Sequence, residues 1–481
     1  MGPRDRGFRC IGMSTDKPAM AASLIDQCLD PAGDIGLFSD QQWLDALLRF
    51  EAALARAQAS AGLVPASAAA AIARACASIE LNRADFVERA RGTGAFGIGL
   101  VDPIRAFLAS HDPAALPCLH WGTTTQDAVD TAHAVLTKTA LAALLDELQK
   151  LAAALRALAH AHAATPMMAR SLLQPAQVTS FGFKCAQSAG ALQRSASQLC
   201  TLAPHALCVQ LGGAVGNRAA MGHRAAQVEL VLAAELGLWA SGQSWHTQRD
   251  AWMRLAMEAS VCAGSLSKLA RDWSLMSQFE VGELAEAPRG RTSSAMPHKR
   301  NSVHCMQAIA LTQPVPGLAA SLLGAMTQAH ERAMGEWQAE LSVWAPLWRR
   351  VHGAAAALRL AADGLRVDAA RMQSHIDALY QVIFSEACTD ALAPITGREA
   401  AQQAIEHLAP QALAQRQPLS ALLQHWVATT RGAEPARAAA HALATATDPQ
   451  RAVQASAACC HELLRALDAS EPSSSLEPHH V

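Results

Sequence analysis

"LLDELQKLAAALRAL", residues 144–158, places Leu144, Leu148, Leu151, Leu155 and Leu158 at intervals of four, three, four and three. That spacing keeps an apolar seam on one side of a helix, because it averages close to one helical turn. The seam runs through residues 132–160. Residues 249–287 repeat it with Leu255, Cys262, Leu266, Leu269, Trp273 and Met276. Both segments exceed the usual length of a globular helix, which predicts long helices packed nearly parallel in a large bundle. Nearer the start, Ser39 followed by Gln42 has the pattern of a capping box. Trp43, Leu47, Phe50 and Leu54 then share one face, and Gly62 with Pro65 ends that helix.

Composition points the same way. The 481 residues are 51% hydrophobic, mostly Ala and Leu, with a single Tyr. So few aromatics disfavour sheet, which prefers aromatic and β-branched residues. No repeat of fixed period and no sustained alternation interrupts the helical pattern. The expectation is an all-α fold of three helical domains. They comprise an N-terminal domain over 21–115, a central long-helix bundle over 116–365 and a C-terminal domain over 366–468. Disordered tails over 1–20 and 469–481 are expected to flank them, and Met13 is an alternative start.

Several functions are disfavoured. Lys and Arg number 39 against 41 Asp and Glu, a net charge of −2 with both signs interspersed. That leaves no basic patch for nucleic acid and no polybasic membrane anchor. The apolar stretch "AIALTQPVPGLAASLLGAM", 308–326, is broken by Pro314 and Pro316 and reads as a buried, kinked helix rather than a membrane span. The N-terminus has no continuous apolar segment of the secretory kind. Twelve Cys are scattered without a C-x-x-C pair, which suits a reducing cytoplasm. The 19 His show no H-E-x-x-H or similar pair, so neither metal nor cofactor is expected.

Three polar stretches break the apolar pattern. "LHWGTTTQDAVDTA", 119–132, precedes a long helix. It reads equally as an elaborate N-cap or as a carboxylate site at a helix N-terminus. "MARSLLQPAQVTSFG", 168–182, carries Arg170, Ser171, Gln174 and Thr179, and Pro175 suggests a kinked helix start. "RTSSAMPHKRN", 291–301, follows a Pro- and Gly-containing loop. A serine hydroxyl becomes a base only where cations and backbone dipoles stabilise its alkoxide. Lys299, Arg300 and the amides of a tight loop could supply them. With a Thr-rich carboxylate site, the pattern suggests removal of a proton beside a carboxylate.

These stretches resemble the signature regions of the fumarase/aspartase superfamily. "SSAMPHKRN" is similar to its G-S-S-x-M-P-x-K-x-N loop, and the other two stretches to its first and second regions. "QLGGAVGN" (210–217), "SWHTQRD" (244–250) and "HERAMGEWQAE" (330–340) are most similar to its bacterial 3-carboxy-cis,cis-muconate cycloisomerase branch. The resemblance covers about 36 to 420. It implies a fumarase/aspartase-like fold whose long helices form a tetrameric core, with active sites shared between chains. It implies a small polycarboxylate substrate, a tricarboxylate diene closed to a lactone during aromatic catabolism. It assigns Ser293 as catalytic base, with Lys299 and Asn301 binding the substrate and stabilising the intermediate. Substrate contacts are implied for His120, Thr124, Thr125, Gln126, Arg170, Gln174, His246, Arg249, Ser294 and Met296.

The chain departs from the family pattern at Thr292 (usually Gly), Ser302 (usually Pro) and Leu172. Many lyases of the superfamily carry a histidine at the last position, where it helps protonate the leaving group. General acid help is worth roughly 10²- to 10⁴-fold. A leaving carboxylate needs none, since its conjugate acid has a pKa of about 4. Leu172 therefore fits lactone chemistry, unless His120 or His298 supplies the proton instead. The enzyme alternative is a cofactor-free β-elimination on a succinyl-type substrate, nitrosuccinate- or adenylosuccinate-lyase-like, releasing fumarate. The non-enzyme alternative is a binding homologue that has lost activity.

Overall fold

The structure, a computed structural model, describes residues 24–31, 36–91, 96–287, 296 and 299–469. Ser293, Ser294, His298 and both tails beyond that range lie outside the described residues. The N-terminal helices are α1 (Leu24–Leu29), α2 (Asp40–Ser60), α3 (Ala66–Ser78), α4 (Arg83–Arg91) and α5 (Phe96–His111). Ser39 caps α2 as its sequence implies, with Oγ accepting from the Gln42 amide at 3.2 Å. The central region holds α6 (Thr125–Ala161), the hairpin β1 (Pro166–Ser171) and β2 (Gln174–Ser180), α7 (Phe181–Ala206), α8 (Ala225–Leu236) and α9 (Asp250–Met276). It continues through β3 (Leu284–Ala285), α10 (Val303–Thr312), α11 (Val315–Gly324), α12 (Glu336–Asp363) and β4 (Arg366–Val367), the partner of β3. Then come α13 (Ala369–Asp377), α14 (Ser385–Thr396), α15 (Arg398–Gln415), α16 (Leu419–Arg431), α17 (Ala433–Ala446), α18 (Pro449–Ala452) and α19 (Gln454–Ala469). The fold is all-α, as expected.

The leucine seam is the core of the bundle. Leu144, Leu148, Leu151 and Leu155 are each at most 1% exposed. Truncating one to Ala should cost about 2–5 kcal/mol, through lost burial and the cavity left behind. α6 is long and apolar enough to cross a membrane by length and composition, yet 67% of its most apolar window is buried among its neighbours. One continuous core joins the N-terminal helices to the bundle and takes in Cys460, Leu464 and Leu467 of α19. A second core, from Ile376 to Leu443, lies within α13–α17 and its connections.

Three local expectations are corrected. The second polar stretch is an antiparallel hairpin, not a kinked helix start, with Arg170 opposite Pro175 and Ser171 opposite Gln174. Proline is tolerated in a two-stranded ribbon, where its missing N–H need not serve a second neighbour. The next helix starts at Phe181, where Ser180 Oγ accepts from the Phe183 amide at 3.0 Å. Pro314 and Pro316 do more than kink their helix. α10 stops at Thr312 and α11 starts at Val315, because each proline lacks an N–H for the helical ladder. The second seam ends at Met276 rather than running to 287.

Helix lengths decide where the polar stretches lie. α6 has 37 residues, so its ends are about 55 Å apart. The Thr-rich stretch opens it, and the hairpin follows its C-terminus. α9, with 27 residues, packs against α7 and α12 and is about 40 Å long. His246 and Arg249 precede it, and the signature segment follows it.

Candidate active site

At the opening end of α6, one carboxylate gathers three chain segments. Asp127 is 0% exposed. Its Oδ2 accepts from Thr123 Oγ1 at 2.9 Å, the Thr124 amide at 3.1 Å and the Gly213 amide at 2.9 Å. Its Oδ1 accepts from the Gly212 amide at 2.9 Å and meets His246 Nε2 at 2.7 Å. Thr124 and Asp127 form the capping box of α6, so the N-cap reading of this stretch holds. The glycines are required by this packing. A Cβ on Gly212 would overlap His246 Cε1 and Ser244 Oγ, and Gly213 has φ +69°. The tautomer that donates to this carboxylate carries its proton on Nε2, and among the described residues His246 Nδ1 is buried without a partner.

One turn further along α6, Asp130 anchors a buried ion network. Arg249 reaches Asp130 Oδ2 from Nη1 at 2.8 Å and Glu340 Oε2 from Nε at 3.1 Å. Trp337 Nε1 donates to Asp130 and Trp252 Nε1 to Glu340, both at 2.9 Å. The Arg249 guanidinium lies 4.6 Å from the centre of the Trp245 ring. Burial alone would lower its pKa, but Asp130 and Glu340 outweigh it, so the arginine stays charged. Its side chain is 0% exposed. Arg249 therefore holds α6, α9 and α12 together and presents nothing to solvent.

Gln126 links this network to the polar stretch. Its Nε2 donates to the His246 carbonyl at 2.9 Å, and its Oε1 accepts from Arg332 Nη1 at 3.2 Å. Arg332 Nη2 also donates to the Gly213 carbonyl at 3.0 Å, while Nε is buried without a partner among the described residues. Both acceptors are neutral. Burial lowers the Arg332 pKa, with Asp127 and Asp130 only partly offsetting it. A half-buried guanidinium whose hydrogen bonds within the described residues go only to neutral oxygens suits an anionic ligand. His120 lies close by, its Nδ1 2.5 Å from Glu51 Oε1. Burial would lower its pKa, but the Glu51 carboxylate outweighs it and Asp127 adds to the effect. The imidazole pKa is therefore raised.

The other sequence-predicted residues stand at the far end of the bundle. Arg170 on β1 grips buried Glu283 with two bonds, 2.7 and 3.0 Å, and His375 Nδ1 meets the same carboxylate at 2.7 Å. Glu286 receives the His304 and Cys305 amides, each at 3.0 Å, at the start of α10. Acidic groups are favoured at a helix N-terminus, so this contact ties the two ends of the signature segment together. Met296, Lys299 and Asn301 are exposed there. Leu172 and Leu173 form the hairpin tip, 94% and 73% exposed, with φ of +52° and +64°. Gln174 beside them is exposed too.

Within one chain, His120, Thr124, Thr125, Gln126, His246 and Arg249 gather at one end. Arg170, Gln174, Met296, Lys299 and Asn301 lie at the other, about 40 Å away along α9. The sequence reading missed Glu51, Asp130, Arg332 and Glu340, and it placed Asp127 in the capping stretch without making it a site residue. A carboxylate amid "FEAALARA" was a signal for Glu51, since an acid on an apolar helix face needs a partner. Arg332 stood in a quoted stretch, but nothing local distinguishes it from a surface arginine. Among the described residues, no group of three or more His, Cys, Asp or Glu side chains is placed to hold a metal ion.

Comparison with known proteins agrees with this architecture. A family model described as "Lyase" matches residues 35–317. The 3-carboxy-cis,cis-muconate cycloisomerase of Bradyrhizobium diazoefficiens is 40% identical over 408 residues, 84% of this chain and 89% of that protein. The nitrosuccinate lyase of Streptomyces davaonensis is 37% identical over 377 residues, 76% of this chain and 79% of that protein. The crystal structure of the 3-carboxy-cis,cis-muconate lactonizing enzyme from Pseudomonas putida superposes with a TM-score of 0.84 at 36% identity, covering 93% of this chain and 99% of that one. The chain therefore belongs to the lyase family of the fumarase/aspartase superfamily.

Proposed function

We propose that this protein is a 3-carboxy-cis,cis-muconate cycloisomerase, closing a tricarboxylate diene to a muconolactone in the cytoplasm. The observation that carries the reading is Arg332, a half-buried cation held by neutral oxygens beside Thr123–Gln126. It suits a substrate rich in carboxylates, and the cycloisomerase relative matches 84% of the chain. In closure, one substrate carboxylate attacks the diene, and the carbon beside another carboxylate takes up a proton. Ser293 is the group that exchanges this proton, and Ser294 orients its loop. Lys299 and Asn301 stabilise the negative charge that builds on the activated carboxylate. His120, Thr124, Thr125, Gln126 and Arg332 bind the remaining carboxylates, with Met296 against the carbon skeleton. His246 and Arg249 hold that end in shape. Arg170 and Gln174 do the same for the hairpin.

The two half-sites of one chain are too far apart to act on one small molecule. The working site is therefore composite, built between copies of a homotetramer. The three-domain division at 115 and 365 belongs to the same proposal. Exposed Leu172 then contributes an apolar wall rather than an acid, which suits a reacting carboxylate.

The test is incubation of the purified protein with 3-carboxy-cis,cis-muconate, following loss of diene absorbance. Turnover supports the reading, and no turnover refutes it. A second reading, elimination from a nitrosuccinate-type substrate, is favoured by the 37% identity to nitrosuccinate lyase. It too needs no acid, because nitrite leaves as a stable anion. Fumarate release from nitrosuccinate, with no loss of the muconate diene, would select it.

A further inference from the structure

Glu51 lies inside α2 and is 1% exposed. One turn away on either side it has Leu47, Leu48, Leu54 and Ala55, all buried. An ionised carboxylate among such neighbours is strongly unfavourable unless it is paired. Its partner is His120, with Nδ1 2.5 Å from Oε1. The backbone is bent to bring them together. His120 has φ +56° and Gly122 has φ +71°. A non-glycine residue occupies that region only at a cost in strain. α2 holds the same turn at a second point, where Gln58 Nε2 donates to the Trp121 carbonyl at 2.7 Å. The turn rests against the candidate site. A Cβ on Gly213 would stand 3.1 Å from the Gly122 carbonyl, and Gly213 is the residue that Asp127 and Arg332 both hold. With Nδ1 committed to Glu51, Nε2 is left for other contacts on a side chain that is 18% exposed.

We propose that Glu51 is a positioning residue of this site, holding His120 as an imidazolium so that Nε2–H is offered to one carboxylate of the substrate. The inference deepens the proposed function and rests on it for the identity of that substrate. Among the described residues, three charged groups face His120. Glu51 from α2 and Asp127 from α6 favour the cation, and Arg105 from α5 opposes it. The balance raises the imidazole pKa, in the direction the geometry requires.

The test compares wild type with Glu51→Gln, which keeps size and a hydrogen-bond acceptor but removes the charge. Deuterium exchange at the imidazole C2 proton, read by mass spectrometry across pH, gives the His120 midpoint without needing activity. The variant should titrate at lower pH than wild type. The alkaline limb of kcat/KM for 3-carboxy-cis,cis-muconate should move down with it. Between the two midpoints the variant should lose about tenfold to a hundredfold, the worth of one charge-assisted hydrogen bond. At low pH, where both proteins carry the imidazolium, the difference should close. Equal midpoints overturn the proposal. So does a loss that is the same at every pH, the mark of a merely structural defect. Without wild-type turnover it is the proposed function that fails, and the pH dependence of tricarballylate binding replaces the kinetics, with the same shift expected and its absence decisive against. Where Glu51→Gln does not fold, the wild type decides alone: a His120 midpoint at or below that of a free histidine, about 6.5, overturns the proposal.

Discussion

Replacing Asp127 by Asn changes one atom and tests how the Thr-rich end is built. The carboxylate meets five groups, three at Oδ2 and two at Oδ1. An amide nitrogen in the Oδ2 position would face three donors. In the Oδ1 position it faces the Gly212 N–H and His246. His246 can adapt by moving its proton to Nδ1, which has no other partner among the described residues. The Gly212 amide cannot, and a buried orphaned donor costs about 1–3 kcal/mol. The three bonds to Oδ2 also fall from charged to neutral strength, about 1 kcal/mol each. The sum is about 4–6 kcal/mol, a large share of the roughly 5–15 kcal/mol that holds a folded protein together. Urea unfolding followed by far-UV circular dichroism, extrapolated linearly, measures it. The loss should appear at unchanged slope, with a matching fall in kcat/KM. A destabilisation below about 1 kcal/mol would refute the view that Asp127 is the hub of this end.

Ser293→Ala should lower kcat by several orders of magnitude while circular dichroism and oligomer mass stay as in wild type; near-normal loss of the diene would sink the base assignment. Light scattering should give about four times the mass of one chain, because Val261, Leu275, Phe279, Met306 and Leu323 expose apolar surface that a partner would cover. A monomer mass would remove both the tetramer and the composite site. Leu172→Trp should keep measurable lactonising activity, since no proton transfer is asked of that position. Placing Asn-Gly at 172–173 should relieve the left-handed strain of two leucines, stabilising the hairpin by about 1–2 kcal/mol. An unchanged unfolding midpoint would contradict the strain argument.

The helices were legible in the sequence because their signals are local. The leucine seam of α6, the Ser39 cap of α2 and the end of that helix near Gly62 each depend on residues a few positions apart. The signature loop was legible for a different reason. Its residues resemble a family pattern, and the role of Ser293 still rests on that resemblance, since it lies outside the described residues. The hairpin was misread because Pro175 is compatible with a helix start as well as with a two-stranded ribbon. Only pairing with residues 166–171 separates the two.

The electrostatics of the site were decided by tertiary structure. Glu51 and His120 are 69 residues apart, and Gln126 and Arg332 are 206 apart. No period or propensity connects such pairs. They meet because the turn before α6 rests on the middle of α2, and the segment before α12 reaches the start of α6. The same packing separates the two halves of the proposed site, since a rigid helix of 27 residues cannot let its ends touch. The sequence by itself determined the helices and the chemistry each polar stretch could offer. The lengths and packing of those helices decided which stretches one chain can join and which it must leave about 40 Å apart.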